Sequence, residues 1–208
     1  MLDAVDLDCM RGDRLLFKGI NFKVAESELL YIKGANGAGK TTLLRMICGL
    51  VQPYGGTISW NSENIKGLHE DYYNSLLYIG HLGGIKPELT ALENLRFACA
   101  LNGQDVSEKK ATDALKSVGL AGREDLPSKV LSQGQQRRVA LARLFLTHTK
   151  LWVLDEPFVA LDVKAVAMIQ RVLAEHLVGK GMIVLTTHQE FSVSKGTVKH
   201  LLLGDKLE

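Results

Sequence analysis

Gly34-Ala35-Asn36-Gly37-Ala38-Gly39-Lys40-Thr41 stands between the apolar run Leu29-Leu30-Tyr31-Ile32 and a segment carrying Leu43, Leu44, Ile47 and Leu50. The run reads as a buried strand, and the three- and four-residue spacing after it reads as one apolar face of a helix. Between them the residues match G-x-x-x-x-G-K-[ST] in the strand-to-helix setting that gives the pattern its meaning. Glycines let the backbone turn tightly and come close to phosphate oxygens. Successive N–H groups and the positive end of the helix then face the anion. Lys40 is expected to reach the β- and γ-phosphates of a nucleotide, and the Thr41 hydroxyl to hold Mg²⁺. A glycine turn capping an ordinary helix is the alternative for this motif taken alone.

A chain of 208 residues is long enough for one large α/β domain with a sizeable core. Its formal net charge of +2 sets up no strong field, so nothing in the composition points to nucleic acid. No apolar run approaches the roughly 18–20 residues that span a bilayer. The acidic start, Met1 to Asp6, lacks the basic n-region of a signal peptide. Cys9, Cys48 and Cys99 are scattered, without C-x-x-C spacing, and are expected to be reduced core thiols of a cytosolic protein.

Leu2, Val5 and Leu7, and later Ile20, Phe22 and Val24, suggest half-buried strands of an antiparallel layer. After the turn cluster Pro53-Tyr54-Gly55-Gly56, the chain returns as a strand from Thr57 to Trp60. Trp60 at strand spacing reads as core rather than as a base-stacking platform. A mixed sheet supporting the phosphate loop is expected from these segments. Leu76 to Ile79 is a buried strand running into a loop, His81 to Pro87, that holds Gly83 and Gly84. Thr90 and Glu93 form a capping box for a helix with Leu92, Leu95 and Ala98 on one face. A second helix runs from about Ser107 to Val118, striped by Ala111, Leu115 and Val118 and stopped by Gly119. Lys109 and Lys110 on it read as a solvated face. Residues 85–130 thus form a small helical insertion in an α/β core.

Leu131-Ser132-Gln133-Gly134-Gln135-Gln136 opens another helix, carrying Val139, Leu141, Ala142 and Leu144. Ser132 followed by a glycine reads either as ordinary capping or as a second anion-binding helix start, with Arg137, Arg138 and Arg143 making its first turns basic. Leu151 to Leu154 is the continuous apolar run of a central parallel strand. It delivers Asp155 and Glu156 at its carboxyl end, where open α/β sheets place ligands. Two adjacent carboxylates there are costly without a cation or a reaction to serve. Asp155 is expected to bind Mg²⁺ through water, and Glu156 to polarise an attacking water as general base. Asp162 can cap a helix bearing Val166, Ile169, Val172, Leu173 and Leu177. Met182 to Leu185 is a further strand, ending in Thr186-Thr187-His188, which sets His188 where it can sense a γ-phosphate. Val198 to Leu203 reads as a structural strand.

The phosphate loop, Leu131–Gln135, Leu151–Glu156, Ala160-Leu161-Asp162 and His188 together resemble the motif set of the ATP-binding subunits of ABC transporters. Order and approximate spacing agree over nearly the whole chain. The resemblance implies an α/β P-loop NTPase: an ABC-type ATPase core with an antiparallel β layer and a helical subdomain, residues 1–208 forming one ATP-binding domain. It implies ATP and Mg²⁺. Nucleotide contacts fall on Gly34, Ala35, Asn36, Gly37, Ala38, Gly39, Lys40, Thr41 and Thr42, metal contacts on Thr41 and Asp155, and catalysis on Glu156 and His188. It further implies a head-to-tail dimer, with ATP between the phosphate loop of one subunit and the signature Leu131, Ser132, Gln133, Gly134 and Gln135 of the other, and with Asp162 in a loop at the dimer interface. Closure on ATP and reopening after hydrolysis would drive separate transmembrane subunits. Contact with the membrane is then indirect, and residues 85–130 lie nearest the partner.

Gln133 stands where that family has the first glycine of Leu-Ser-Gly-Gly-Gln, and His81 stands where its middle loop offers a glutamine to Mg²⁺ and the attacking water. The adenine-stacking aromatic of the family falls near Met10-Arg11-Gly12, where Arg11 either stacks its guanidinium plane or is solvated. Cys9 to Phe17, Gly80 to Lys86 (with Leu82), Leu89 to Phe97, Leu131 to Arg143 and Thr186-Thr187-His188-Gln189 resemble more narrowly the haem-exporter ATPase subunits of bacterial cytochrome c maturation. This implies a peripheral ATPase at the cytoplasmic face of the inner membrane, coupled to haem export or release of a haem chaperone. An ABC exporter for another cargo, or a soluble non-transport ATPase, are the alternatives. No haem-attaching C-x-x-C-H occurs.

Overall fold

The computed structural model describes residues 1–81, 83–188, 193 and 195–204 and, of His69, the backbone. Leu82 and Gln189, two residues of the narrower resemblance, lie outside the described residues. The elements run β1 Leu2–Arg11, β2 Arg14–Val24, β3 Glu28–Gly34, α1 Lys40–Ile47, β4 Gly55–Trp60, β5 Glu63–Asn64, α2 Ile65–Ser75 and β6 Leu76–Ile79. They continue with α3 Ala91–Leu101, α4 Glu108–Ser117, α5 Gln133–Leu141, β7 Leu151–Asp155, α6 Val163–Val178, β8 Met182–Thr186 and β9 Thr197–Leu203. No helix among the described residues is long and apolar enough to cross a membrane.

The strands build two sheets: the antiparallel layer expected is present, and it is separate from the parallel sheet that leads into the phosphate loop instead of forming one mixed sheet with it. One is four-stranded, in the order β2-β1-β4-β5, with antiparallel pairs; the other is five-stranded, in the order β6-β7-β8-β3-β9. In the second, β3 pairs in parallel with β8 and β9, and β7 with β8. The physical reason is burial on two faces. Every residue of β7 and β8 is buried, as is the apolar run of β3, which suits a covered parallel sheet. β1, β2 and β4 bury fewer positions and pair antiparallel.

Within β1 the buried positions are Leu2 and Ala4, then Leu7 and Cys9, while Val5 is exposed against expectation. A bulge at Val5–Asp6 changes the phase. Asp6 has φ 49, and both pairings of β1 shift register there. One extra residue flips every later side chain to the opposite face. Asn21 fixes the bulge, accepting from the Asp6 amide at 2.9 Å and donating to the Asp6 carboxylate at 3.0 Å.

The chain divides into two compact units: residues 1–78, 149–155 and 174–208, and residues 79–148 and 156–173. In the first, Leu43, Leu44, Met46 and Ile47 of α1 are buried against the sheets with Leu30, Ile32, Val153 and Val184. Each such side chain contributes about 1.5–3 kcal/mol on burial, so α1, and the loop before it, is firmly seated. The helix stops at Ile47, which leaves Leu50 exposed instead of on its apolar face. Trp60 is core, edge-on to Tyr72 at 5.7 Å. α2 escaped the sequence pattern because, among its described side chains, Tyr72 is the one buried deeply.

The second unit packs α3, α4 and the segment from Leu131 to Ala142 around Leu95, Cys99, Leu115 and Val139. The capping box of Thr90 and Glu93 is present, but the buried stripe of α3 is Ala91, Leu95 and Cys99, with Leu92 and Ala98 only half-buried. The stripe of α4 is as expected, as are three buried free thiols.

Candidate active site

In the first unit, β3 ends at Gly34 and the chain swings directly into α1. Gly39 caps that helix in the left-handed region, φ 96, and no side chain caps its first amides. A Cβ on Gly39 would lie 3.0 Å from the Phe17 ring, so both conformation and space select glycine there. Lys40 Nζ donates to the carbonyls of Gly34 at 2.7 Å and Ala35 at 3.2 Å, spanning the loop from within. Ala35, Asn36 and Gly37 are exposed, and Ala38, Gly39, Lys40, Thr41 and Thr42 are half-buried, so the loop is open to an incoming anion.

Asp155 ends β7, one strand from β8, whose register pairs it with Thr186. Its buried carboxylate accepts from Thr41 Oγ1 at 2.8 Å and from Thr186 Oγ1 at 2.7 Å. The two candidate metal residues are therefore in direct contact across α1 and β7. Thr186 is a partner the sequence reading did not assign; its signal was a threonine at the carboxyl end of a strand beside that of Asp155. Among the described residues no group of three or more His, Cys, Asp and Glu side chains forms a metal cage. A hydroxyl beside a carboxylate is the hard, oxygen-only donor set suited to a magnesium ion that keeps water and phosphate ligands. His188 is exposed, just beyond β8, and the Thr187 carbonyl before it accepts from Tyr31 Oη at 2.8 Å.

The second unit holds Glu156, buried, with φ 51 in the left-handed region. Its carbonyl accepts from Arg137 Nη2 at 2.9 Å, while Arg137 Nη1 donates to the carbonyls of Gly80 at 2.7 Å and His81 at 3.3 Å. Arg138 pairs with Asp162 at 2.5 Å. These two arginines thus serve carbonyls and a carboxylate of their own unit. Asp162 caps α6 through the Ala165 amide at 2.8 Å, and that bond, helped by Arg138, holds its carboxyl below the usual range.

Ser132 and Gln135 form a complete capping box at the start of α5. The capping reading of this segment is therefore correct, and it leaves Ser132 and Gln133 exposed while Leu131 is buried. Gly134 is half-buried, and a Cβ on it would collide with the Ala160 carbonyl. His81, Gly83, Gln133, Gln136, Arg137, Val159 and Ala160 line one cavity of about 220 Å³. Arg11, at the tip of the β1–β2 hairpin, is exposed.

A family model described as ABC transporter matches residues 17–159. The chain is 55% identical over 204 residues to a cytochrome c biogenesis ATP-binding export protein of Nitrosomonas europaea, covering 98% of this chain and 96% of that one. A protein of the same description from Nitrosospira multiformis is 52% identical over 97% of this chain and 98% of its own length. Among solved structures, an ABC transporter ATP-binding protein from Pyrococcus furiosus superposes with a TM-score of 0.81 at 26% identity, covering 96% of each chain.

Proposed function

The chain belongs to the ABC transporter family, among its cytochrome c biogenesis ATP-binding export proteins, and from that premise we propose that it is the ATP-hydrolysing subunit powering haem export or haem-chaperone release in cytochrome c maturation. The observation that carries the chemistry is the Asp155 carboxylate held between the Thr41 and Thr186 hydroxyls at the end of the parallel sheet. ATP lays its phosphates on residues 34–42, and Lys40 turns from the Gly34 and Ala35 carbonyls to the β- and γ-phosphates. Thr41, and Asp155 through water, would hold Mg²⁺, which would neutralise phosphate charge. Glu156 accepts the proton of a water attacking the γ-phosphorus. The bond to the β-phosphate oxygen breaks, leaving ADP and phosphate. His188 hydrogen-bonds the γ-phosphate.

Residues 1–208 act as one ATP-binding domain, with 85–130 as the helical insertion toward separate transmembrane subunits. Two copies associate head to tail, so that residues 131–135 of each complete the site of the other and Asp162 lines the interface. The protein is peripheral, at the cytoplasmic face of the inner membrane. The test uses cells whose only copy is Glu156→Gln at matched protein level, with haem-stained gels of c-type cytochromes. ATPase activity should fall roughly 10²–10⁴-fold, and covalent haem should disappear from the gel. Normal staining with the ATPase abolished would remove the role in cytochrome maturation.

A further inference from the structure

We propose that Arg137 is a positioning residue for hydrolysis: its guanidinium fixes the peptide that aims Glu156 and ties that peptide to the His81 loop. The proposal rests on Glu156 acting as the general base. Arg137 is 7% exposed, and a buried guanidinium is tolerable only when its donors are met. Its two Nη nitrogens donate to backbone carbonyls of two separate segments, Nη1 to Gly80 and His81 and Nη2 to Glu156. A planar, permanently charged fork holds such acceptors at a fixed spacing, which a flexible ammonium cannot do.

Glu156 needs this help. At φ 51 it occupies a region that is strained for a non-glycine residue and persists only where the surroundings over-determine it. The bond from Arg137 to the carbonyl of that same residue supplies a fixed point. Since the His81 carbonyl shares the guanidinium, a shift of the His81 loop is passed to the peptide of the base. Arg138, the next residue, plays no such part: it donates to Asp162 and to the Val118 carbonyl.

The variant is Arg137→Lys in the full chain, assayed in the membrane complex in which it turns over. Lysine keeps the charge and loses the fork. We expect kcat to fall on the order of 10–10²-fold, the scale of a small misplacement, while KM for ATP and the affinity for a fluorescent ATP analogue stay within about twofold. Added to Glu156→Gln, Arg137→Lys should cause no further loss, because both act on one step. Losses that multiply in the double variant, a KM that rises with the fall in kcat, or a wild-type kcat in Arg137→Lys would each overturn the proposal. If the lysine variant fails to fold, Arg137→Gln is read through the same cycle. An unchanged rate in Glu156→Gln alone defeats the assignment of the base, and this proposal with it. A low rate there beside a wild-type Arg137→Lys defeats only the positioning role.

Discussion

His176 shows how one side chain can set a pH limit on the fold. Its ring lies flat on Trp152, centroids 3.7 Å apart and planes within 6°. Burial lowers its pKa from 6.5 to about 4, with Lys150 adding to the effect and hydrogen bonds to the backbone at Met182 and Lys150 opposing it. The unfolded chain therefore takes up this proton at higher pH than the folded one. The stability contributed by the neutral ring is whole above pH of about 6.5 and is lost as pH falls toward about 4. The loss should be on the order of 2 kcal/mol, less than the full shift because part of the ring meets water. Denaturant titrations from pH 7 to 4 should show this slope, and His176→Phe, which keeps the stack, should flatten it. An equal slope in both proteins would place the pH dependence elsewhere.

At the scale of elements, the loop before α3 depends on one buried amide. Asn94 is 3% exposed; its Nδ2 donates to the carbonyls of Lys86, Leu89 and Thr90 and to Ser128 Oγ, and its Oδ1 accepts from the Lys86 amide at 2.7 Å. Asn94→Ala strands several of these groups and should cost about 2–3 kcal/mol. The denaturation midpoint is the measurement, and a change under about 0.5 kcal/mol, the range of ordinary surface substitutions, would contradict the account.

The capping box at Thr90 was legible in the sequence because cap and partner lie three residues apart, and at Ser132 the cap itself was legible. The hub at Asn94 was not, since its acceptors are backbone groups brought in by the fold. The bulge at Asp6 was hidden for a related reason: alternation can be read, but the residue at which it changes phase depends on the neighbouring strand. Arg137 was legible only in part. Its basic charge was visible, and its carbonyl partners were not.

For the whole molecule, the phosphate loop lies in the first compact unit and the signature helix in the second. In the proposed head-to-tail assembly their roles separate. Lys40→Ala should abolish tight ATP binding in the single chain. Ser132→Arg should bind ATP normally yet fail to dimerise on it, as read by light scattering in the Glu156→Gln background. Dimerisation persisting in the Ser132→Arg protein would contradict the two-half-site arrangement. The placement of Lys40, Thr41 and Asp155 could be anticipated because they occupy fixed offsets from a strand end. The hydroxyl of Thr186 could not, for it needs the β7–β8 register.

The stack of His176 on Trp152 also equips β7 with an optical label. Of the two tryptophans in the chain, Trp60 is buried among β-strand neighbours and Tyr72, while Trp152 sits three residues before Asp155, face to face with an imidazole whose charge state governs its emission. Light from that indole therefore reports on the strand that delivers the carboxylate, without any dye attached.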